Sequence, residues 1–329
     1  PEVLVVASSA CTLYASEAIQ MLNAKDRVGL LKLATTWPLP PKLMETHLSR
    51  AKVIFTVEEV LPFLEDNIKS LAADLAGRIG IKTFYGRGDG TLPTVNELNP
   101  DLVAVGLAKI LGTEYQPVAA NYTEAAGAAV AAAAPAREMA FCAGCPHRAS
   151  FWSIHNALEL DGRDGFVCGD IGCYSMAGLS TGFFSLKTMH AMGSGTGLAS
   201  GFGKLKPFGL NQPALAVCGD STFFHAVMPA LVNAIHNQAD MTLVVLDNSG
   251  TAMTGFQPHP GLMMDAAGND VPALDIARIV EAMGAQVETN DPFDIDGTQQ
   301  KILGLLEIGG VNVLILNQSC AVSPEKKGR

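Results

Sequence analysis

Charge is scarce in this chain and lopsided where it occurs. Of 329 residues only 16% are Asp, Glu, Lys or Arg, and the balance is -10 at neutral pH. Nucleic-acid binding draws on Lys and Arg that neutralise phosphates, so this balance argues against a nucleic-acid partner. Long apolar runs are missing as well, and a membrane span needs about 18 consecutive apolar residues or more. No secretory leader precedes the first strand-like run. The seven cysteines therefore read as reduced thiols or metal ligands rather than disulfides, in a cytoplasmic setting. What is abundant is apolar content, 48%, enough to bury large cores. A length of 329 residues suits two domains of ordinary size.

Short Val/Ile/Leu runs alternate with amphipathic stretches along the first third. Strands are expected at 3–8, 28–34 and 53–58, and helices at 12–22, 41–51 and 61–75. That order means βαβ units on a parallel sheet. Asn99 and Pro100 pair as an N-cap and first helical residue. Residues 119–140 are Ala-rich, lack an amphipathic stripe and carry Pro135, which reads as a linker. Beyond it, strands are expected at 165–171, 214–218, 242–247 and 311–316, with helices at 192–203, 223–237, 274–283 and 299–306. The fold class is α/β, with two doubly wound domains over 1–118 and 141–329.

Two patterns carry chemistry. In the first, a strand runs into Gly219-Asp220-Ser221-Thr222, and the next strand ends in Asp247-Asn248. The 28 residues from Asp220 to Asn248 are one helix and one strand of crossover, so both fall at the carboxyl ends of neighbouring parallel strands. A carboxylate from Asp220, an amide oxygen from Asn248 and the Gly250 carbonyl would suit Mg²⁺, which takes oxygen ligands. The helix beginning near Thr222 would turn free N–H groups toward a diphosphate. The bland alternative is an Asp cap and an Asn turn.

In the second pattern, Cys142-x-x-Cys145 precedes Pro146-His147. The pair reads as half a metal site, a redox pair or two core residues, and zinc is the leading metal for a bare CxxC with scattered partners. Cys11, Cys168 and Cys218 have no matching role, and the last two read as strand core. Glu58, Glu59 and Glu65 read as solvated carboxylates at a helix end.

The Gly-Asp and Asn pairing resembles the thiamine diphosphate motif, with Ser221 in place of its last glycine. A fuller resemblance is to the α subunit of indolepyruvate ferredoxin oxidoreductase, among the 2-oxoacid:ferredoxin oxidoreductases. It rests on "CAGCPHR", "GDIGCYSMAG", "GSGTGLASGF", "GDSTFFHAVMPALVNAI" and "LDNSGTAMTGFQPHPG", in that order. "LKLATTWPLP", "VEEVLPFLED" and "GTLPTVNELNP" extend it through the first half.

The resemblance implies a transketolase C-terminal-like domain followed by a thiamine diphosphate-binding domain. It implies a [4Fe-4S] cluster on Cys142, Cys145, Cys173 and Cys320, since such clusters take four thiolates. Gly172, Met192, Gly193, Gly219, Asp220, Ser221, Thr222, Asn248, Gly250, Thr251, Met253 and Thr254 fall at cofactor-binding positions, and Asp220, Asn248 and Gly250 at the Mg²⁺ ligands. His147 falls near the thiamine, as a catalytic candidate beside the alternative of a backbone-satisfied histidine. His259 is a candidate for the substrate pocket, with a plain turn as the alternative.

The family reaction is oxidative decarboxylation of a 2-oxoacid to an acyl-CoA, with electrons passed to the cluster and then to ferredoxin. Met253 stands where the pyruvate-specific branch has an asparagine, pointing to an aryl 2-oxoacid such as indolepyruvate. The family's pyrimidine-binding domain, with its glutamate, and its ferredoxin-like domain fall outside these residues. The expected partners are therefore a pyrimidine-domain polypeptide, a smaller γ-type subunit and ferredoxin, in a hetero-oligomer. Two rival classes are a non-oxidative thiamine-dependent 2-oxoacid decarboxylase subunit and a zinc-stabilised non-catalytic subunit.

Overall fold

The computed structural model describes residues 1–119 and 121–323. It divides into two compact units, Pro1–Pro135 and a second that begins at Ala136.

In the first unit, β1 (Val3–Ser8), β2 (Val28–Leu33), β3 (Val53–Val57) and β4 (Thr83–Tyr85) form a parallel sheet in the order β2-β1-β3-β4. Both faces of β1 are buried, and its side chains alternate between two cores. Val3, Val5 and Ala7 meet α1 (Ser9–Met21) and α5 (Pro100–Leu111), whereas Leu4 and Val6 meet α2 (Pro41–Leu48) and α3 (Phe63–Asp74). A strand covered on both sides reads as an unbroken apolar run, which is how "VLVVA" reads. Asn99 does cap α5, its side chain accepting from Leu102 N at 2.9 Å, and Gly112 ends the helix at φ 66°. A four-residue helix, α4 (Ala76–Ile79), precedes β4.

The Ala-rich stretch forms a helix, α6 (Tyr122–Ala133), none of whose residues is buried. Alanine propensity suffices to form the helix, and without an apolar stripe it has nothing to bury.

In the second unit, β5 (Phe166–Gly169), β6 (Leu186–Met189), β7 (Ala214–Gly219), β8 (Met241–Asp247), β9 (Gln286–Asn290) and β10 (Val311–Asn317) form a parallel sheet ordered β6-β5-β7-β8-β10-β9. The chain moves from β5 outward to β6, then returns to place β7 on the other side. The strand order therefore reverses between β5 and β7, the point at which open parallel sheets bind ligands. One core lies under α8 (Ser194–Phe202), α10 (Met228–His236) and α11 (Ile276–Met283), and it includes Cys168 and Cys218. The other lies under α7 (Pro146–Asp161) and α12 (Ile295–Glu307), built on Phe151, Ile154, Ile302 and Leu305.

Several expectations shift. Helix begins at Ser9 and Ser194, β5 stops at Gly169, and helix is continuous over 220–236 rather than starting at 223. Within that last stretch α9 (Asp220–Thr222) passes through a π turn at Phe223–Val227 into α10. Pro229 has no N–H to give to the preceding turn and its ring crowds a carbonyl there, so the helix widens. Strands β4, β6 and β9 were not expected: they are short or half-polar and lie at or near a sheet edge, where burial does not write a pattern.

Candidate functional site

The carboxyl ends of β5, β7 and β8 meet around one open pocket. In-register pairing of Gly219 with Leu246 sets Asp220 beside Asp247, with Asn248 one residue on. Gly172, Met192, Gly219, Asp220, Ser221, Thr222, Asn248, Gly250, Thr251, Met253 and Thr254 all line the pocket, together with His147, Cys173, Ile171, Tyr174 and Ala252. Gly193 stands apart: its N–H donates to Asp170 Oδ2 at 2.8 Å, behind the lining. Met192, for which a core position was the alternative, is 46% exposed at the rim.

Asp220 is buried. Its Oδ1 accepts from Ser221 N at 2.7 Å, its Oδ2 accepts from Gly250 N at 3.0 Å, and His259 Nε2 approaches Oδ2 to 3.2 Å. Burial alone would raise this carboxyl, but the imidazole and the two N–H groups outweigh it and hold the pKa below the ordinary carboxylate value. Asp247 goes the other way, raised by burial and then by the Asp220 carboxylate. Two carboxyl groups crowded at one strand edge are an arrangement that a divalent cation relieves. With the Asn248 amide and the Gly250 carbonyl close by, the donors are all oxygen and hard, so they fit Mg²⁺.

The glycines here are required by contact. A Cβ on Gly172 would come within 2.5 Å of the Tyr174 ring, and one on Gly219 within 3.0 Å. Tyr174 lies across both, donating to Ile171 O and sharing a 3.2 Å contact with Thr222 Oγ1.

His147 is 3% exposed, and its Nε2 lies 3.2 Å from Asn248 Nδ2. Burial lowers its pKa to about 4, only partly countered by Asp220, so the ring is neutral. It is satisfied by a side chain rather than by backbone. His259 does not line this pocket. It packs behind Asp220, stacked on Phe224 with ring centroids 5.8 Å apart, and its Nδ1 accepts from Gly261 N at 3.1 Å.

Asp170 was missed in the sequence. It is fully buried, Oδ1 has no hydrogen-bond partner among the described residues, and burial raises its pKa to about 6. Its only signal was position, directly after a strand end in "GDIGC".

The four expected cluster cysteines gather at one side of this sheet edge. Burial, and after it the neighbouring Cys145, Cys320 and Cys142, raise the Cys173 thiol to about 11. Burial also raises Cys145, against N–H groups of His147 and Arg148 that favour its thiolate. Gly144, at φ 69°, makes the turn in which Cys145 N donates to Cys142 O at 3.1 Å, and Cys320 N donates to Asn248 O at 3.0 Å. Among the described residues no three His, Cys, Asp or Glu side chains stand close enough to hold one metal ion. A four-iron cluster is wider than a single ion, and its ligand requirement is four thiols converging from several segments.

In the first unit Glu58 and Glu65 prove not to be solvated, whereas Glu59 is exposed as expected. Glu58 is 8% and Glu65 0% exposed. Glu58 accepts from Leu64 N and Glu65 N at the start of α3, and Glu65 accepts from Arg87 N and Gly88 N and pairs with Lys69. Glu59 accepts from Leu98 N.

The second sheet and its pocket define a domain of the thiamine diphosphate-binding class. Residues 170–314 match the family described as thiamine pyrophosphate enzyme, C-terminal TPP binding domain. Over 326 residues, 98% of this chain and 50% of the relative, the sequence is 36% identical to indolepyruvate oxidoreductase subunit IorA of Methanothermobacter thermautotrophicus. It is 35% identical to the IorA subunit of Archaeoglobus fulgidus, covering 98% of this chain and 49% of that one. The resemblance read from the motifs therefore holds along nearly the whole chain, and the chain spans about half the length of these relatives. A 2-oxoglutarate:ferredoxin oxidoreductase from Magnetococcus marinus shares 19% identity at a TM-score of 0.48, over 56% of this chain and 66% of that one.

Proposed function

We propose that this chain supplies the diphosphate-binding part of a thiamine diphosphate-dependent 2-oxoacid:ferredoxin oxidoreductase. The observation that carries the reading is the joint placement of Asp220 and Asn248 at the ends of adjacent strands, in a pocket floored by Gly219 and the first turn of α9. Asp220, Asn248 and the Gly250 carbonyl would hold Mg²⁺ for the diphosphate, and the Thr222 N–H at the helix start would be offered to its oxygens, the Ser221 N–H being taken by Asp220 Oδ1. Thiamine, when bound, supplies the electron sink for decarboxylation.

This chain's own residues then have defined tasks. Met192, Thr251, Met253 and Thr254 bound the space beside the diphosphate and exclude water from it. Gly172 and Gly219 leave room for Tyr174, whose ring closes one wall. Cys142, Cys145, Cys173 and Cys320 would hold a [4Fe-4S] cluster, which would supply an electron acceptor, and Cys173 also lines the pocket. Residues 1–118 are the transketolase C-terminal-like domain, and 119–140 join it to the binding domain.

The substrate we assign is an aryl 2-oxoacid of the indolepyruvate type, converted to an acyl-CoA and CO₂. Met253 supports it, half-exposed at the pocket wall and apolar where an asparagine would favour a small polar acid. Activity depends on a pyrimidine-domain polypeptide carrying the glutamate, a smaller γ-type subunit and ferredoxin, in a cytoplasmic hetero-oligomer. Consistent with this setting, no helix among the described residues is long and apolar enough to cross a membrane.

The test is the anaerobically prepared complex, with iron, sulfide, zinc and thiamine quantified and 2-oxoacid-dependent dye reduction measured over a panel of acids. Four iron per chain and a preference for indolepyruvate or phenylpyruvate are expected. Zinc without sulfide would replace the reading with a non-catalytic subunit. Thiamine without iron would replace it with a non-oxidative decarboxylase, and a preference for pyruvate would overturn the substrate.

A further inference from the structure

An asparagine that ligates a cation must present its oxygen, yet its amide is nearly symmetric in shape. Turned by 180°, Asn248 would fill the same space and offer the cation an NH₂ group, which cannot ligate. Something beside it must therefore choose the orientation.

That neighbour is His147. Its Nε2 lies 3.2 Å from Asn248 Nδ2, with both side chains buried. An imidazole nitrogen facing an NH₂ group accepts the hydrogen bond, which places the ring proton on Nδ1. Among the described residues no hydrogen bond engages Asn248 Oδ1, and Asn248 lines the pocket.

The backbone is tied independently, since Asn248 O accepts from Cys320 N at 3.0 Å. His147 is held from its own side, in the first turn of α7 directly after Cys145-Pro146, with its backbone N–H toward the Cys145 sulfur. Its ring also meets Tyr174 edge-on, at 6.2 Å between centroids.

We propose that His147 is a positioning residue: it holds the Asn248 amide with its oxygen toward the cation, and the turn at Cys142–Cys145 anchors that hold. The notion of a base acting on substrate is not needed for it. The proposal rests on the assignment of Asn248 as a cation ligand. It adds that the cation site and the cysteine turn share one hydrogen-bonded link.

Calorimetric titration of Mg²⁺ and thiamine diphosphate into the complete protein tests this without turnover. His147→Phe keeps a ring against Tyr174 but removes the acceptor. It should weaken cofactor binding about 10- to 100-fold, the usual cost of losing a partner that orients a metal ligand. His147→Gln, whose amide oxygen can accept in place of Nε2, should recover most of the affinity. In the double variant with Asn248→Ala, the loss should be no greater than for Asn248→Ala alone, because the two residues act as one unit.

If Asn248→Ala weakens binding while His147→Phe leaves it unchanged, the positioning role is wrong and the cation assignment stands. If Asn248→Ala itself has no effect, the cation assignment fails and takes the proposal with it. Equal losses for Phe and Gln would mean that His147 matters only for packing, which overturns the proposal. Should His147→Phe not fold, judged by its thermal melt, His147→Leu reads the same acceptor loss in a smaller side chain.

Discussion

Two parallel sheets in one chain use their carboxyl edges differently. In the first unit the acidic groups past β3 are consumed internally. Glu58 caps α3, and Glu65 gathers two backbone N–H groups and a lysine. Arg87, 2% exposed, donates from Nη1 to Glu58 O, and its Nε and Nη2 have no hydrogen-bond partner among the described residues. In the second unit the acidic groups past β7 and β8 crowd one another, and the neighbouring amide oxygen of Asn248 has no hydrogen-bond partner among the described residues. The same architecture thus yields carboxylates that are paired within the chain in one case and an incomplete edge at the pocket in the other. An incomplete edge is where a ligand's contribution is needed.

Removing the central acid of each edge sharpens this contrast. Asp220→Ala should reduce Mg²⁺-dependent thiamine diphosphate affinity by more than about 100-fold, since losing a mere outer partner already costs 10- to 100-fold. The thermal midpoint should change little by comparison. Calorimetry and a melt read both quantities, and unchanged affinity would remove Asp220 from the cation site.

Glu65→Ala should do the converse. It leaves the buried N–H of Arg87 unpaired, at a cost of about 1–3 kcal/mol, while the N–H of exposed Gly88 turns to water. Denaturant unfolding should show that loss while the cofactor affinity of the folded protein stays as in wild type. Loss of cofactor affinity in this variant would break the distinction between the edges.

The smallest effect concerns Asp170. Its folded pKa of about 6 exceeds the unfolded carboxyl value of about 4, so the folded state binds more protons between those pH values. Stability from this group is fully present below about pH 4 and is lost as pH rises through about 6, on the order of 2 kcal/mol in all. Asp170→Asn cannot titrate. The difference between wild-type and variant unfolding free energies should therefore slope across that window, and a flat difference would mean that Asp170 is already ionised there.

The pairing of Asp220 with Asn248 at one sheet edge was legible because a strand-turn-helix-strand crossover has a nearly constant length. Twenty-eight residues from Asp220 to Asn248 leave little else for the chain to do. The role of His147 was not legible, because its partner lies 101 residues away and only β8 and α7 packing on one sheet edge bring them together. Glu58 and Glu65 misled for a related reason. A carboxylate near a helix start looks solvated until the 86–88 turn folds over it, and nothing local in "VEEVLPFLED" announces that turn. Asp170 carries no periodic signal at all, and its burial comes from a loop 23 residues later.

The sequence by itself determined the α/β class, the buried strands and the Asp220–Asn248 spacing, because hydrophobic period and crossover length are local or nearly local quantities. Only the tertiary structure decided which polar groups at the strand ends are already satisfied and which way the Asn248 amide faces. Hydrogen-bond satisfaction depends on partners that the chain supplies from distant segments, and burial makes each missing partner costly.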